Sequence, residues 1–250
     1  FLTGGADRRV GENSLIGFSA GYGQFETRSQ YRRADGEALS VSVYGGHAPG
    51  NAYVSAYAGY ALMDYQIARP VFLGPPGAGG TVLTARADTG GSQFMAGFDA
   101  GLTLAAGAFE WGPALRLRHA STRFDAYTET GAGVLGSRID ARSQDETVAG
   151  LGAYIAQSYN ENGRQSEIYV RAFHQIELSG SDRTAQATLT GAPVTFQVQG
   201  RGRDDRFYTL ETGARIDISR QWSLDAAFAA DTGRSDGNET SLSLQARWRF

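Results

Sequence analysis

The most constraining feature of this sequence is an alternation of apolar and polar side chains with a period of two residues. In the last ten residues, SLSLQARWRF (241–250), three aliphatic and two aromatic side chains fall on one side and five polar side chains fall on the other. The same pattern runs over residues 92–104, 167–178, 208–218 and 222–228. Successive side chains of a β-strand point to opposite faces, so these segments are predicted to be strands with one apolar and one polar face.

Weaker, glycine-rich versions of the alternation bring the total to about eleven predicted strands, each as long as the roughly 9 to 11 residues that a tilted strand needs to cross a bilayer. They run over residues 14–27, 37–46, 52–66, 112–124 and 146–158. A soluble β-sandwich or lipocalin-like barrel also alternates, but strands in soluble sheets are typically about 5 to 6 residues long. The length of the segments therefore favours an all-β fold, a transmembrane antiparallel up-and-down β-barrel.

The connections between the predicted strands alternate in length. Short turns are expected at residues 11–13, 47–51, 105–108, 160–163 and 219–221. Longer loops rich in Gly and Asp are expected at residues 28–36, 67–90, 125–142, 179–204 and 233–239. Outer-membrane barrels have this asymmetry, with short periplasmic turns and long external loops. The last strand is then predicted to run towards the periplasm.

Composition excludes several other classes of protein. The net charge of −3 gives no basic field that would gather nucleic acid, so nucleic-acid binding is not expected. The chain contains no Cys, which excludes disulfides and thiolate metal sites. It also lacks the run of about 18 apolar residues that predicts a transmembrane helix. No motif for a cofactor or a metal is found, and neither is expected.

The polar faces of the predicted strands carry the candidate functional residues. Nine charged side chains of mixed sign are expected to line a water-filled lumen that solvates a passing segment without holding it tightly. They are Asp99, Arg116, Arg118, Glu167, Arg171, Glu177, Glu211, Arg215 and Asp217. The alternative is that these charges pair between strands and fix the register. Glycines on the same face are expected to widen the bore; they are Gly17, Gly21, Gly23, Gly97, Gly101, Gly150, Gly152 and Gly213.

Histidines were the first candidates for a catalytic site. His119 lies two residues before Ser121, and His174 falls in phase with the apolar row of its strand. A Ser two residues from a His, without an orienting acid, is weak evidence for a nucleophile. Both histidines are therefore interpreted as residues of the strand faces, and the barrel is not expected to be an enzyme.

Three stretches resemble a known family, the autotransporter β-domain, which is the translocator of type V secretion. They are FLTGGADRR with LIGFSAGYG (1–23), WGPALRLRHASTRFDAYTETGAG with SRIDARSQDETVAGLGAYIA (111–156), and FQVQGRGRDDRFYTLETGARIDIS through to the terminal WRF (196–250). The most specific part is YTETG, with Tyr127, Glu129 and Gly131. The resemblance covers nearly the whole chain.

The resemblance implies that residues 1–250 form a single twelve-stranded translocator barrel in the outer membrane of a Gram-negative bacterium. Such a barrel anchors an N-terminal passenger and exports it, with its linker, to the cell surface, where the passenger stays or is released. Implied partners are outer-membrane lipid, lipopolysaccharide and the barrel-assembly machinery, and the barrel is expected to be a monomer. A channel or porin is the alternative function, and a barrel phospholipase or protease is a weaker one.

The ends of the chain carry two further expectations from the resemblance. Trp248 and Phe250 match the terminal aromatic signal by which the assembly machinery recognises a last strand, while Gln245 stands where the family commonly has Gly. Residues 2–10 match the second strand of the family, so the first strand is expected to lie outside these residues. The alternative is that residues 193–200 form an additional strand of the barrel.

Overall fold

The structure is a computed structural model that describes residues 2–29, 32–74, 81–161, 164–180, 184–192, 194–199, 205–219, 221–234 and 239–248. Most of these residues lie in β-strands. Within these ranges, no helix has the length and apolarity that crossing a bilayer requires. Phe250, one of the two predicted terminal aromatics, lies outside the described residues.

The strands form one large antiparallel sheet, here called the wall, and one small sheet, here called the cap. In chain order they are β1 (Leu2–Val10), β2 (Ser14–Ser29), β3 (Arg32–His47), β4 (Ala52–Leu73), β5 (Thr81–Leu102), β6 (Leu104–Ala106), β7 (Phe109–Phe124), β8 (Tyr127–Thr128), β9 (Ser137–Ile139), β10 (Arg142–Glu161), β11 (Arg164–Gly180), β12 (Thr184–Leu189), β13 (Thr195–Gln199), β14 (Arg206–Asp217), β15 (Trp222–Thr232) and β16 (Thr240–Trp248). The cap has the order β13-β12-β9-β8, and all other strands belong to the wall.

The wall is an up-and-down sheet in which each strand pairs with the next wall strand along the chain. Eleven strands follow one another from β1 to β16, and the short β6 pairs only with β7. The predicted all-β, antiparallel, up-and-down fold is thus confirmed. Among the described residues β1 and β16 end the strand order and do not pair with each other, so the wall is a curled, open sheet.

The convex face of the wall carries a continuous apolar belt. On β3 it consists of Leu39, Val41 and Val43, all more than half exposed, and on β4 it runs over residues 54–62. A stretch of this length matches the roughly 9 to 11 residues with which a tilted strand crosses hydrocarbon. An aromatic pair borders the belt at the end of the short turns, where Trp222 is stacked on Trp248.

Several strands continue well beyond this belt, which corrects two predicted loops. Residues 28–36 and 67–90 were expected to be loops, but β2 extends to Ser29, β3 begins at Arg32, β4 extends to Leu73 and β5 begins at Thr81. The alternation ends where the belt ends, because a strand in water needs no apolar face, whereas backbone pairing continues in register from Gly59↔Met95 to Leu73↔Thr81. Apolar periodicity therefore predicts the extent of the belt but not the full length of the strands.

The short turns lie together at one end of the wall, here called the short-turn end. Gly11, Gly50 and Gly107 occupy these turns with φ of 68°, 58° and 68°, values that favour Gly. Near the same end the ladder between β5 and β7 is interrupted opposite Pro113, which has no N–H to donate, and it resumes in β6. The backbones approach closely there: a Cβ on Gly112 would lie 1.7 Å from the carbonyl oxygen of Leu102.

The two longest connections leave the opposite end of the wall and pair with each other as the cap. The connection from β7 to β10 supplies β8 and β9, and the connection from β11 to β14 supplies β12 and β13. β9 pairs with β12, with Ile139 opposite Ala187. The alternative expectation that residues 193–200 form a barrel strand is wrong for the part that is described, since 195–199 are β13 of the cap.

Candidate functional site

The concave face of the wall holds the predicted polar residues. Strand parity and side-chain contacts place all nine charged candidates on this face, which curls around a lumen. Five of them form one group, here called the central charge cluster; its members are Asp99, Arg116, Arg118, Arg171 and Glu211. The other four lie nearer the ends of the lumen.

Arg116 of β7 is the centre of this cluster. Its Nε donates to Asp99 Oδ1 at 2.8 Å, and its Nη1 and Nη2 donate to Glu211 at 2.5 and 3.2 Å. Arg118 donates to Asp99 Oδ2 at 3.4 Å, and Arg171 lies 3.8 Å from Glu211. One guanidinium thus satisfies two carboxylates on different strands, β5 and β14.

Arg116 reaches Glu211 across two intervening strands, β10 and β11. Its register partner on β10 is Gly150, which has no side chain to obstruct the guanidinium. The guanidinium carbon then lies 4.1 Å from the centroid of the Phe173 ring on β11. The Arg116 side chain is 8% exposed, so the ring and the wall replace most of its water. Cation–π contact and bidentate hydrogen bonding together hold the cation in one place.

Aromatic rings lie flat against inward-facing glycines along the lumen. A Cβ on Gly97 would meet Tyr57 at 2.2 Å, and one on Gly213 would meet Tyr169 at 2.5 Å. The same relation holds for Gly17 with Tyr44, Gly101 with Tyr53, and Gly152 with Phe173. At these five positions the expectation that glycines widen the bore is wrong, because a ring from the neighbouring strand fills the vacated space. The glycines instead let large side chains follow the wall.

The short-turn end of the lumen opens into a cavity of about 1120 Å³. Glu167, Arg215 and Asp217 line it, together with residues of both terminal strands of the wall, such as Asp7 and Arg247. Arg215 forms an ion pair with Asp225 at 3.1 Å, a partner that the sequence interpretation missed. The alternation places Asp225 on a polar strand face. It does not give the register between the two strands, in which Asp225 lies opposite Arg215.

The opposite end of the lumen is more aromatic. Phe25 packs edge-on against Tyr65 at 5.4 Å, and Tyr65 lies 5.9 Å from Phe124. Arg142 stacks on Phe124 at 4.6 Å. Glu177 lies on the same face at this end, beside Gln93 and Thr122. These rings come from β2, β4 and β7, so the sequence of any one strand does not predict that they cluster.

The YTETG segment lies in the cap and against the wall. Glu129 is buried and accepts hydrogen bonds from Arg69 Nε at 3.0 Å and Arg69 Nη2 at 2.5 Å, and from the Ser137 backbone N–H at 3.0 Å. Hydrogen bonding to Glu129 raises the pKa of the Arg69 guanidinium above its ordinary value. Gly131 has φ of 85°, and Tyr127 lines a cavity of about 260 Å³ beneath the cap.

The histidines lie on the convex face. His119 is within hydrogen-bonding distance of Thr147 Oγ1 at 2.9 Å and packs near Phe94, while His174 packs against Tyr208 with ring centroids 5.1 Å apart. His47 lies 2.8 Å from Ser14 Oγ at the rim of the short-turn end. In the part of the chain that the structure describes, no group of three His, Asp or Glu residues could hold a metal ion.

Comparison with known families and structures gives consistent results. A family model described as Autotransporter beta-domain matches residues 1–229. No curated protein matches the sequence. Among solved structures, the translocator domain of the autotransporter NalP from Neisseria meningitidis has a TM-score of 0.77 at 18% identity, covering 99% of this chain and 79% of that chain.

Two further solved structures share the fold. The β-domain of the Bordetella autotransporter BrkA gives a TM-score of 0.57 at 16% identity, covering 99% of this chain and 88% of its own. The transport unit of AIDA-I from Escherichia coli gives 0.55 at 14% identity, covering 99% and 80%. All three are domains of autotransporters, and at these identities the likeness concerns the fold.

Proposed function

Because this chain belongs to the autotransporter β-domain family, we propose that it is the translocator that anchors and exports an N-terminal passenger through its lumen. The domain is located in the outer membrane of a Gram-negative bacterium. The observation that carries the proposal is the contrast between the two faces of one sheet: an apolar belt outside and the central charge cluster inside. Residues 1–250 act as one domain and as a monomer.

The apolar belt is the surface that contacts the membrane. Its exposed aliphatic side chains match the hydrocarbon, and the ladder from β1 to β16 satisfies the backbone groups between these strands, which lipid would leave without partners. Towards the cap the convex face turns polar at Glu37 and Asp64, at the depth where lipid headgroups begin. Outer-membrane lipid and lipopolysaccharide are therefore the partners of this face.

The nine charged residues of the lumen form the polar conduit for the linker. Their signs are mixed and most of the central charges are neutralised by each other, as in the Arg116 pair with Glu211. A lumen of this kind solvates a polar polypeptide without presenting a strong field that would trap it. Register between strands is a second role of the same pairs.

Export needs no catalytic residue in the barrel itself. His119 and His174, the two histidines considered for hydrolysis, contact aromatic rings on the belt side and not the lumen. Passenger transport therefore accounts for the two faces of the domain without a catalytic site, and hydrolysis is not part of the proposal. Turnover of a lipid or peptide substrate that disappears on His119→Ala would contradict this.

The test is a reporter fused upstream of the full-length barrel in a Gram-negative host. We expect the reporter to be digested by protease added to intact cells. In a second fusion, Trp248→Ala and Phe250→Ala are expected to remove most of the barrel from the outer membrane, because the assembly machinery recognises the terminal aromatic residues. A reporter that stays periplasmic beside a correctly inserted barrel would exclude export. A constitutively open, solute-selective pore in bilayers would favour the channel alternative.

A further inference from the structure

We propose that a recess at the aromatic end of the lumen receives one large apolar side chain of the polypeptide that passes through the barrel, and so holds that polypeptide in place. The recess, here called the aromatic recess, is the cavity of about 260 Å³ that Tyr65, Phe124 and Tyr127 line. The inference rests on the proposed function, which places an exported polypeptide in the lumen. It adds the position at which this polypeptide is held and the class of side chain through which it is held.

The aromatic recess opens on the lumen. Its lining extends over six neighbouring wall strands, from Thr27 of β2 to Arg142 of β10. Strand register aligns the lining side chains with one another: Ala34 lies opposite Thr27 on one side and Ile67 on the other, and Arg142 lies opposite Phe124. Side chains from strands this far apart in a curled sheet converge only on its concave side. A ligand therefore reaches the recess from the lumen.

Aromatic rings held by their neighbours form the sides of the recess. The ring centroids of Tyr65 and Phe124 are 5.9 Å apart, and Phe25 packs edge-on against Tyr65 at 5.4 Å. The guanidinium carbon of Arg142 lies 4.6 Å from the centroid of the Phe124 ring. Ile67, which is buried, also lines the recess. An aromatic or branched aliphatic group that enters therefore contacts ring faces, an aliphatic side chain and a stacked guanidinium.

Two polar groups that line the recess are already hydrogen-bonded within the wall. The Tyr65 hydroxyl donates to Met63 Sδ at 3.1 Å, and the Thr89 hydroxyl donates to the backbone carbonyl oxygen of Asp125 at 3.2 Å. A polar ligand would have to replace these bonds, and such an exchange yields little net free energy. An apolar side chain leaves water and contacts the rings while both bonds stay in place. The recess is therefore suited to an apolar side chain.

The size of the recess favours a side chain of a polypeptide over a free small molecule. Its volume of about 260 Å³ is below the roughly 300 to 1,000 Å³ of typical small-molecule sites. A side chain that belongs to a polypeptide already in the lumen is present at a roughly millimolar effective concentration, so a small site is enough to hold it. The cavity at the short-turn end is about 1120 Å³ and is lined by charges such as Glu167 and Arg215, which solvate the polypeptide without such a hold.

Disulfide trapping in the full-length protein tests whether the polypeptide is held. Thr89→Cys places a thiol in the recess, and Ser55→Cys places one in the wide cavity at the short-turn end; residues 1–250 have no natural Cys. Each variant is combined with single cysteines along the segment that precedes the barrel, and the disulfides formed in cells are quantified. From Thr89→Cys we expect trapping at one or two positions beside a large apolar residue, at least about tenfold above the rest. From Ser55→Cys we expect a broad distribution.

An even distribution from Thr89→Cys, with trapping from Ser55→Cys, would overturn the hold and keep the export function. Trapping from neither position would contradict the export function itself.

A second variant tests the space of the recess. Ala34→Phe fills it from β3, and Ser55→Phe adds a similar bulk to the wide cavity as the matched control. In planar bilayers we expect the full-length Ala34→Phe protein to open about tenfold more often than the native protein, because the polypeptide that occupies the lumen is no longer held. The Ser55→Phe protein should open as often as the native one. Equal opening of the two variants would refute the recess, and if Ala34→Phe does not fold, the trapping from Thr89→Cys decides.

Discussion

At the scale of single residues, Arg116 has the greatest influence on the lumen. It is the residue through which carboxylates of β5 and β14 are both neutralised, and a phenyl ring shields it. An ion pair that is mostly removed from water gains little when it is formed, but removing one partner is costly because the other charge remains. Removing Arg116 is therefore costly mainly because two carboxylates lose their shared donor, and less because the ion pair itself contributes to stability.

We predict that Arg116→Gln lowers the free energy of unfolding by about 2 to 4 kcal/mol, because Asp99 and Glu211 lose their shared donor. The measurement is urea unfolding of the refolded barrel in detergent or lipid. Arg33→Gln is the matched control: its ion pair with Asp35 is half exposed, and its loss should change stability by less than about 0.5 kcal/mol. Equal effects of the two variants would contradict the central role of Arg116.

At the scale of elements, the packing of each strand depends on the side chains of the adjacent strand as much as on its own sequence. Five of the inward glycines leave the space that a tyrosine or phenylalanine ring of an adjacent strand occupies. Gly152 is the tightest case on β10: a Cβ there would lie 2.1 Å from the Ala172 carbonyl oxygen and 2.6 Å from the Phe173 ring. Replacement must move backbone as well as ring.

Gly152→Ala is therefore expected to destabilise the barrel by about 1 to 3 kcal/mol, although Ala is intrinsically the better strand residue. Gly4→Ala is the control, because nothing lies within 4 Å of its added Cβ, and it should be neutral or slightly stabilising. Thermal unfolding followed by the gel mobility of the folded barrel compares them. If both variants melt together, the close packing on Gly152 is not limiting.

The same elements show what a sequence can and cannot predict. The alternation predicted the order and the inward face of the wall strands, because lipid on one side and water on the other impose that pattern wherever the wall crosses the membrane. Outside the membrane neither face needs to be apolar, so the sequence predicts loops where β4 and β5 continue beyond the belt. Contacts between residues far apart in the chain, such as Glu129 with Arg69 of β4 at a separation of 60 residues, have no local signature.

At the scale of the whole molecule, stability and location depend on the depth of each convex residue. Val41 lies within the belt on β3, and Glu37 lies on the same face of the same strand, two convex positions nearer the cap. A cation costs most at the middle of the hydrocarbon and little at its edge, because water and headgroups are then within reach.

Val41→Lys is expected to cost about 2 to 4 kcal/mol in a bilayer, and Glu37→Lys about 0 to 1 kcal/mol. Unfolding titrations in phospholipid vesicles measure both values, and repeating them in detergent micelles should reduce the difference. A Val41→Lys barrel as stable as the Glu37→Lys barrel in vesicles would mean that the belt on β3 does not contact hydrocarbon.

The bond from Arg116 to Glu211 also carries information about the order of assembly. Neighbouring wall strands meet by closing short stretches of chain, whereas these two residues are 95 positions apart and lie on strands separated by β10 and β11. The distance between them becomes short only after both intervening strands have joined and curled. Loop closure over such a span is entropically unfavourable until the intervening pairing has been made. This single ion pair is accordingly a late event in folding, formed by a wall that has already acquired its curvature.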